Sequence, residues 1–305
     1  MTGVPLTVIG GFLGAGKTTV VNHLLRNATR RWGVLVNDFG AINIDAALIA
    51  AHDGDTIALT NGCVCCGMSD DLGAGLARLA TRASPVEHVI VEASGVSDPR
   101  RIAQYALVEP GYSLEPIVVV ADARALSEQL HDRWVADTVR AQLAAAEIVL
   151  LNKIDLADPA TLAAACCAIA TIRPGVRVAE LCHGAVSEDL LRFPGARATR
   201  FHADAPPWHE FVTWHWLPPA ALDRERLRTM LRALPASVLR VKGFCRLAPD
   251  AAPHLLQFAS GQWTLSPADA LEPSMVVIGT PDLPHPDALT ALFGKTLASS
   301  QPDES

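Results

Sequence analysis

Six stretches of the chain are almost continuously apolar and end in a polar or small residue: "PLTVIG" (5–10), "GVLVND" (33–38), "DTIALT" (55–60), "HVIVEAS" (88–94), "PIVVVAD" (116–122) and "EIVLLNK" (147–153). Runs of this length without alternation are the mark of strands buried on both faces of a parallel sheet. Between them lie stretches with helical spacing, among them "KTTVVNHLLRNA" (17–28) and "DDLGAGLARLATRA" (70–83). Strand and helix therefore alternate, and the expected fold is α/β, a doubly wound and mostly parallel sheet. The alternation fades near residue 186. A stretch rich in proline, alanine and charge follows, "VSEDLLRFPGARATRFHADAPPW" (186–208), with the character of a linker. Beyond it the pattern changes. "HEFVTWHWL" (209–217) alternates like a half-buried strand, "LDRERLRTMLRALP" (222–235) has the period of an amphipathic helix, and "SVLRVKGFCRL" (237–247), "QFASGQWTLS" (257–266) and "SMVVIG" (274–279) read as one strand each. These predict a second, smaller α+β domain, with the last residues, "ASSQPDES", frayed.

Composition narrows the function classes. Of 305 residues half are hydrophobic, enough for two cores, and the formal net charge is −7 with no long basic run. Nucleic acid and anionic membrane surfaces are not expected partners. No stretch reaches the roughly 18 uninterrupted apolar residues of a membrane span, and the N-terminus has no basic leader, so the expected location is the cytoplasm. There thiols stay reduced. Clustered cysteines then point to metal binding or redox chemistry more than to a structural disulfide.

The strongest chemical signal is "GFLGAGKTT" (11–19), which satisfies G-x-x-x-x-G-K-[ST] with Gly11, Gly16, Lys17 and Thr18. It follows a predicted strand and opens a predicted helix, the setting the motif requires. Gly11, Gly14, Ala15 and Gly16 supply backbone N–H groups to a polyphosphate, Lys17 neutralises the β- and γ-phosphates, and Thr18, followed by Thr19, brings a hydroxyl to Mg²⁺. The first 186 residues are therefore a P-loop NTPase domain, residues 187–207 the linker, and residues 208–296 the second domain.

The base is read from "NKID", at the end of the strand 147–151. Asn152, Lys153 and Asp155 form N-K-x-D, in which the carboxylate pairs with the N1 and N2 hydrogens of guanine. Adenine offers no such pair of donors, so the nucleotide is GTP. Asp38 and Asp45 in "VNDFGAINID" and Glu92 and Gly95 in "VIVEASGVSDP" lie where the γ-phosphate would be sensed. Glu92 is a candidate for the Mg²⁺ region and Gly95 N–H for the γ-phosphate; Asp38 is a catalytic candidate, and Asp45 fits turn chemistry. Val96 follows Gly95 where a water-orienting glutamine stands in Ras-like GTPases, so intrinsic turnover should be slow. Arg100 and Arg101 read as solvated, which leaves no arginine finger in cis.

"LTNGCVCCGMSDDL" (59–72) crowds Cys63, Cys65 and Cys66 into four positions. Three thiolates suit Zn²⁺, with a fourth position open for transfer. Cys63 and Cys66 also make C-x-x-C, which can cycle as a disulfide, and plain loop packing is the third reading. Cys166, Cys167, Cys182 and Cys245 read as small buried hydrophobes. His202, His209 and His215 gather near the linker, with alternation placing His209 and His215 on one strand face. The aromatic "WHEFVTWHW" reads mainly as packing between the domains.

Taken in order, "GFLGAGKTT", "VNDFG", "NGCVCC", "VEASGVSDP" and "NKID", with "LRVKGFCRL" and "SMVVIG" in the second domain, resemble the CobW family of P-loop GTPases, metallochaperone relatives of the urease and hydrogenase maturation GTPases. The resemblance spans nearly the whole chain. It implies a nucleotide-binding domain followed by a smaller α+β domain. It also implies phosphate and Mg²⁺ at Gly11 to Thr19, metal at Cys63, Cys65 and Cys66, Glu92 in the Mg²⁺ region and guanine at Asn152, Lys153 and Asp155. The implied activity is slow GTP hydrolysis coupled to delivery of a transition metal, Zn²⁺ first and Co²⁺ as the alternative, to a client metalloprotein by a monomer or homodimer. A metal sensor or store with vestigial GTPase activity and a thiol-redox switch are the competing functions. Many members carry Asn-Glu-Phe-Gly-Glu in the first switch; here the stretch is "NDFGA", with Asp38 and Ala41 in place of the two glutamates, and Ala41 cannot ligate metal.

Overall fold

The computed structural model describes residues 3–37, 56–59, 68–80, 85–108, 111–191, 212–259, 261–268 and 272–298. Asp38, Ala41, Asp45, Cys63, Cys65, Cys66, His202 and His209 lie outside the described residues, as does the expected linker from residue 192 onward. The chain divides into two units, Met1–His209 and Glu210–Ser305.

The first unit is an all-parallel sheet of seven strands: β1 (Val4–Gly10), β2 (Trp32–Asn37), β3 (Thr56–Leu59), β4 (His88–Glu92), β5 (Tyr112–Asp122), β6 (Ile148–Asn152) and β7 (Arg177–Leu181). Their order is β3-β2-β4-β1-β5-β6-β7, so β1 lies between strands that come later in the chain on either side. The six apolar runs are β1 to β6, as their pattern predicts. The strand β7 carries no such run. It is a sheet edge with Arg177, Val178 and Glu180 exposed, so burial imposes an apolar residue only at Leu181.

Because every strand runs the same way, all C-terminal ends share one edge. Register sets the ends level: Ile9 pairs with Glu92, and Asp122 with Asn152. Helix α1 (Lys17–Arg26) buries Val20, Val21, Leu24 and Leu25, spaced to form one apolar stripe. That stripe packs on Ile9, Val118, Val120, Ile148 and Leu150 of the sheet. The remaining helices are α2 (Met68–Ala80), α3 (Pro99–Val108), α4 (Leu126–His131), α5 (Ala136–Ala145) and α6 (Pro159–Ile172). Residues Glu188–Leu191, within the stretch expected to be linker, form a 3₁₀ turn; Leu191 is buried in the first core and Glu188 pairs with Arg30.

The second unit is an antiparallel sheet of β8 (Val212–Trp216), β9 (Val238–Leu247), β10 (Ala252–Ala259), β11 (Gln262–Pro267) and β12 (Ser274–Gly279), ordered β11-β10-β9-β12-β8. Helices α7 (Arg224–Arg232) and α8 (Pro286–Gly294) complete the expected α+β architecture. The stretch "QFASGQWTLS" is two strands rather than one: β10 and β11 pair as a hairpin across Gly261. Trp214 and Trp216 pack within the second unit's own core. Their ring centroids lie 5.2 and 5.4 Å from that of Phe293 of α8, each edge-on. No helix among the described residues is long and apolar enough to cross a membrane.

Phe293 is fully buried against these two tryptophans. Phe293→Ala should lower the stability of this unit by about 3 to 5 kcal/mol. Urea unfolding followed by tryptophan fluorescence reads it, and a loss below about 1 kcal/mol would contradict the assignment of this ring to the core.

Candidate functional site

Residues at or just after the ends of β1, β4, β5, β6 and β7 meet at the C-terminal edge. The loop after β1 is tightly constrained. Gly11 has φ 133°, and a side chain there would place Cβ 2.1 Å from the Val120 carbonyl oxygen; Gly16 has φ 103°, and its Cβ would lie 2.4 Å from Asn152 Nδ2. Only glycine fits either position. Lys17 opens α1 with its side chain buried, and its Nζ donates to the carbonyls of Gly11 (2.9 Å) and Phe12 (3.3 Å). An ammonium wrapped in its own loop at a helix N-terminus concentrates positive charge where a polyphosphate would bind. Next to it, Thr18 Oγ1 donates to Glu92 Oε1 at 2.8 Å, bringing a hydroxyl from α1 and a buried carboxylate from β4 together. Hard oxygen donors of this kind fit Mg²⁺.

The end of β6 is bound to the same loop. Asn152 Nδ2 donates to the Ala15 carbonyl at 3.0 Å, while Asn152 Oδ1 accepts the Gly184 N–H at 3.0 Å. Lys153 follows in the left-handed region at φ 63°. Its Nζ reaches Gly14 O at 2.6 Å and Asp122 Oδ2 at 2.7 Å. Asp155 lies in the 3₁₀ turn Ile154–Leu156, with His183 Nε2 3.8 Å from its Oδ2. Asn152, Lys153 and Asp155 thus occupy one strand end and the turn after it, and the first two are hydrogen-bonded to the glycine loop.

Asp122, Gly184 and Gln142 belong to this assembly and were absent from the residues picked out in the sequence. Burial would raise the Asp122 carboxyl, but hydrogen bonds from Arg124 and Lys153, with the Lys153 charge, hold it below the ordinary aspartate range. Its position at the end of "PIVVVAD", like that of Glu92 at the end of β4, is the signal that could have found it. Gly184 follows β7, the strand without an apolar run. Gln142, on α5, donates to the carbonyls of Gly95 and Ser97.

Two sequence expectations are corrected by the geometry. Arg100 is not solvated: its guanidinium pairs with Asp98, Nη2 to Oδ2 at 3.0 Å, at the head of α3, whereas Arg101 is exposed. Of the outlying cysteines only Cys245 is a buried hydrophobe, its thiol pushed up to about 12 chiefly by burial. Cys182 is exposed just after β7, and on α6, which buries only Ala165 and Ile169, Cys167 is exposed and Cys166 half-buried. His215 is exposed on β8.

Residues 5–180 match the family described as CobW/HypB/UreG, nucleotide-binding domain, and residues 211–297 match the cobalamin synthesis protein CobW C-terminal domain. A zinc chaperone CobW from a Sinorhizobium species is 32% identical over 190 residues, which cover 53% of this chain and 54% of that protein. A zinc chaperone CobW from Pseudomonas aeruginosa is 29% identical over 239 residues, covering 68% of this chain and 64% of that one. The chain thus spans between half and two thirds of the length of these relatives. The crystal structure of Zn(II)-bound YjiA GTPase from Escherichia coli aligns over 98% of this chain and all of its own, at 21% identity and a TM-score of 0.49.

Asp122 yields a prediction for this site. A carboxyl depressed in the fold contributes stability that is present above the unfolded value of 3.8 and is lost as pH falls through the lower folded value. Asp122→Asn should therefore cost about 1 to 3 kcal/mol at neutral pH, with the gap to the native protein narrowing below about pH 4. Urea melts across this range test it; a gap that stays constant into acid would refute the pairing.

Proposed function

The chain belongs to the CobW/HypB/UreG family, and from this premise we propose that it is a GTP-hydrolysing metallochaperone that carries a transition metal to a client protein. The observation that carries the nucleotide half of the reading is the β6 end, where Asn152 and Lys153 are tied to the glycine loop and Asp155 stands in the next turn. A carboxylate beyond the phosphate loop pairs with the guanine N1 and N2 hydrogens. Lys17 draws charge from the transferring phosphoryl group as water attacks the γ-phosphorus in line. Thr18 and Glu92 would hold Mg²⁺, which when bound neutralises charge on the β- and γ-phosphate oxygens. Val96 is buried, so the position after Gly95 offers no group to orient the water. Slow turnover follows, with Asp38 the remaining candidate on the first switch.

The cargo half rests on Cys63, Cys65 and Cys66 and on relatives that bear the name zinc chaperone. Thiolates favour Zn²⁺, with Co²⁺ next, and an open fourth position permits hand-over to a client metalloprotein. The cysteine loop lies between Asp38 and Glu92 in sequence, so the phosphate state can alter its geometry. The working form is a cytoplasmic monomer or homodimer.

Two measurements test the reading. Asp155→Asn should shift preference from guanine toward xanthine nucleotides while leaving phosphate contacts intact, and Lys17→Ala should abolish nucleotide binding; unchanged guanine preference in Asp155→Asn would remove the base assignment. Zinc affinity, measured against a competing chelator, should be tighter with a non-hydrolysable GTP analogue than with GDP by roughly 5- to 150-fold. Equal affinities would reduce the thiols to a store or a redox pair, and Cys65→Ser with native zinc binding would remove the metal site.

A further inference from the structure

The turn after β4 is fastened from two directions. Within it, the Ser94 carbonyl accepts both the Ser97 N–H at 3.0 Å and the Ser97 hydroxyl at 2.9 Å. From outside, the amide of Gln142 donates to Gly95 O at 3.2 Å and to Ser97 O at 3.1 Å. Gln142 is 1% exposed and Ser97 1% exposed, so neither side chain is there to meet solvent. One buried amide spends its hydrogens on two carbonyls that bracket Val96, and an apolar side chain of the same shape would leave both without that donor.

The consequence falls on Gly95. In a planar trans peptide the C=O and the following N–H point to opposite sides. Turning the Ser94 carbonyl into the turn therefore turns the Gly95 N–H out of it. The next peptide is fixed as well, because its carbonyl belongs to Gln142. Gly95 is also pressed against the phosphate loop: a Cβ there would lie 2.4 Å from Leu13 Cδ2 and 3.0 Å from the Leu13 backbone nitrogen. Both peptides of Gly95 are held beside the loop that cradles the phosphates.

We propose that Gln142 and Ser97 are positioning residues for the γ-phosphate, which set the Gly95 N–H against the phosphate loop before nucleotide arrives and so let the protein distinguish GTP from GDP. The proposal rests on the guanine-nucleotide reading above. A peptide already oriented costs nothing to order on binding, and its dipole acts at full strength on the group that only GTP possesses. Helix α5 is thereby tied to the switch segment through one side chain. The groups assigned to GDP in that reading, the glycine loop, Lys17 and the β6 end, include neither residue.

The test compares affinities of the native protein, Gln142→Met and Ser97→Ala for GDP and for a non-hydrolysable GTP analogue, each with Mg²⁺. Both variants should weaken the analogue by about three- to tenfold while GDP changes by less than about twofold. In Gln142→Met, single-turnover hydrolysis at saturating GTP should fall by a similar factor. Equal weakening of both nucleotides would mark the two residues as merely structural and overturn the proposal, as would native affinities in both variants. Ser97→Ala decides the matter alone if Gln142→Met does not fold. A native chain that binds neither nucleotide would remove the guanine reading with it, whereas native binding with an unshifted ratio in the variants removes this proposal only.

Discussion

The side-chain amide of Asn152 is the joint on which the site depends. It is 2% exposed, and its two polar atoms face different loops: the nitrogen holds the Ala15 carbonyl of the glycine loop, the oxygen the N–H of Gly184 beyond β7. A buried amide that satisfies both its ends fixes the distance between whatever it joins. Gly16 must be glycine partly because this amide stands 2.4 Å from where a Cβ would be. With Asn152 fixed, the chain turns left-handed at Lys153, whose ammonium then falls between Gly14 O and the Asp122 carboxylate. The glycine loop and the turn after β6 are in this way fastened to each other.

The parallel sheet makes such a joint available. Strands of one direction bring every C-terminal end to one edge, and polar residues that end an apolar run are delivered there without cost to the core. Glu92 ends β4, Asp122 ends β5 and Asn152 ends β6, each buried and each bonded to a neighbouring element, Glu92 to the first turn of α1 and the other two to loops. The helices contribute from the flank. Thr18 meets Glu92 from α1, and Gln142 meets the turn after β4 from α5. Chemistry is thus collected from distant parts of the sequence by strand order, register and the helices packed alongside.

How much of this was legible follows from what burial writes into a sequence. The inner strands β1, β2, β4, β5 and β6 are buried over most of their length and show as apolar runs; β7, at an edge, is exposed on most of its length and does not. Helix α8 is short, only Leu289 and Phe293 of it are buried, and it left no periodic signal strong enough to read. The β10–β11 hairpin was read as one strand because Gly261 interrupts two runs of similar composition. The phosphate and base motifs are local in sequence and could be found there, but Asp122 and Gln142 act through partners 31 and 47 residues away. Arg100 is a different case: its partner Asp98 is local, two residues back, and holds a charge that residue type alone assigns to solvent.

Nucleotide selection by the β6 end is the claim on which the rest of the functional account stands. Titration calorimetry of the native chain with GTP and with ATP, each with Mg²⁺, tests it most directly. A pocket built to pair with the guanine edge should reject adenine on the order of a thousandfold, because the Asp155 carboxylate would be left facing a base without matching donors. Equal heats and equal affinities for the two nucleotides would contradict the account.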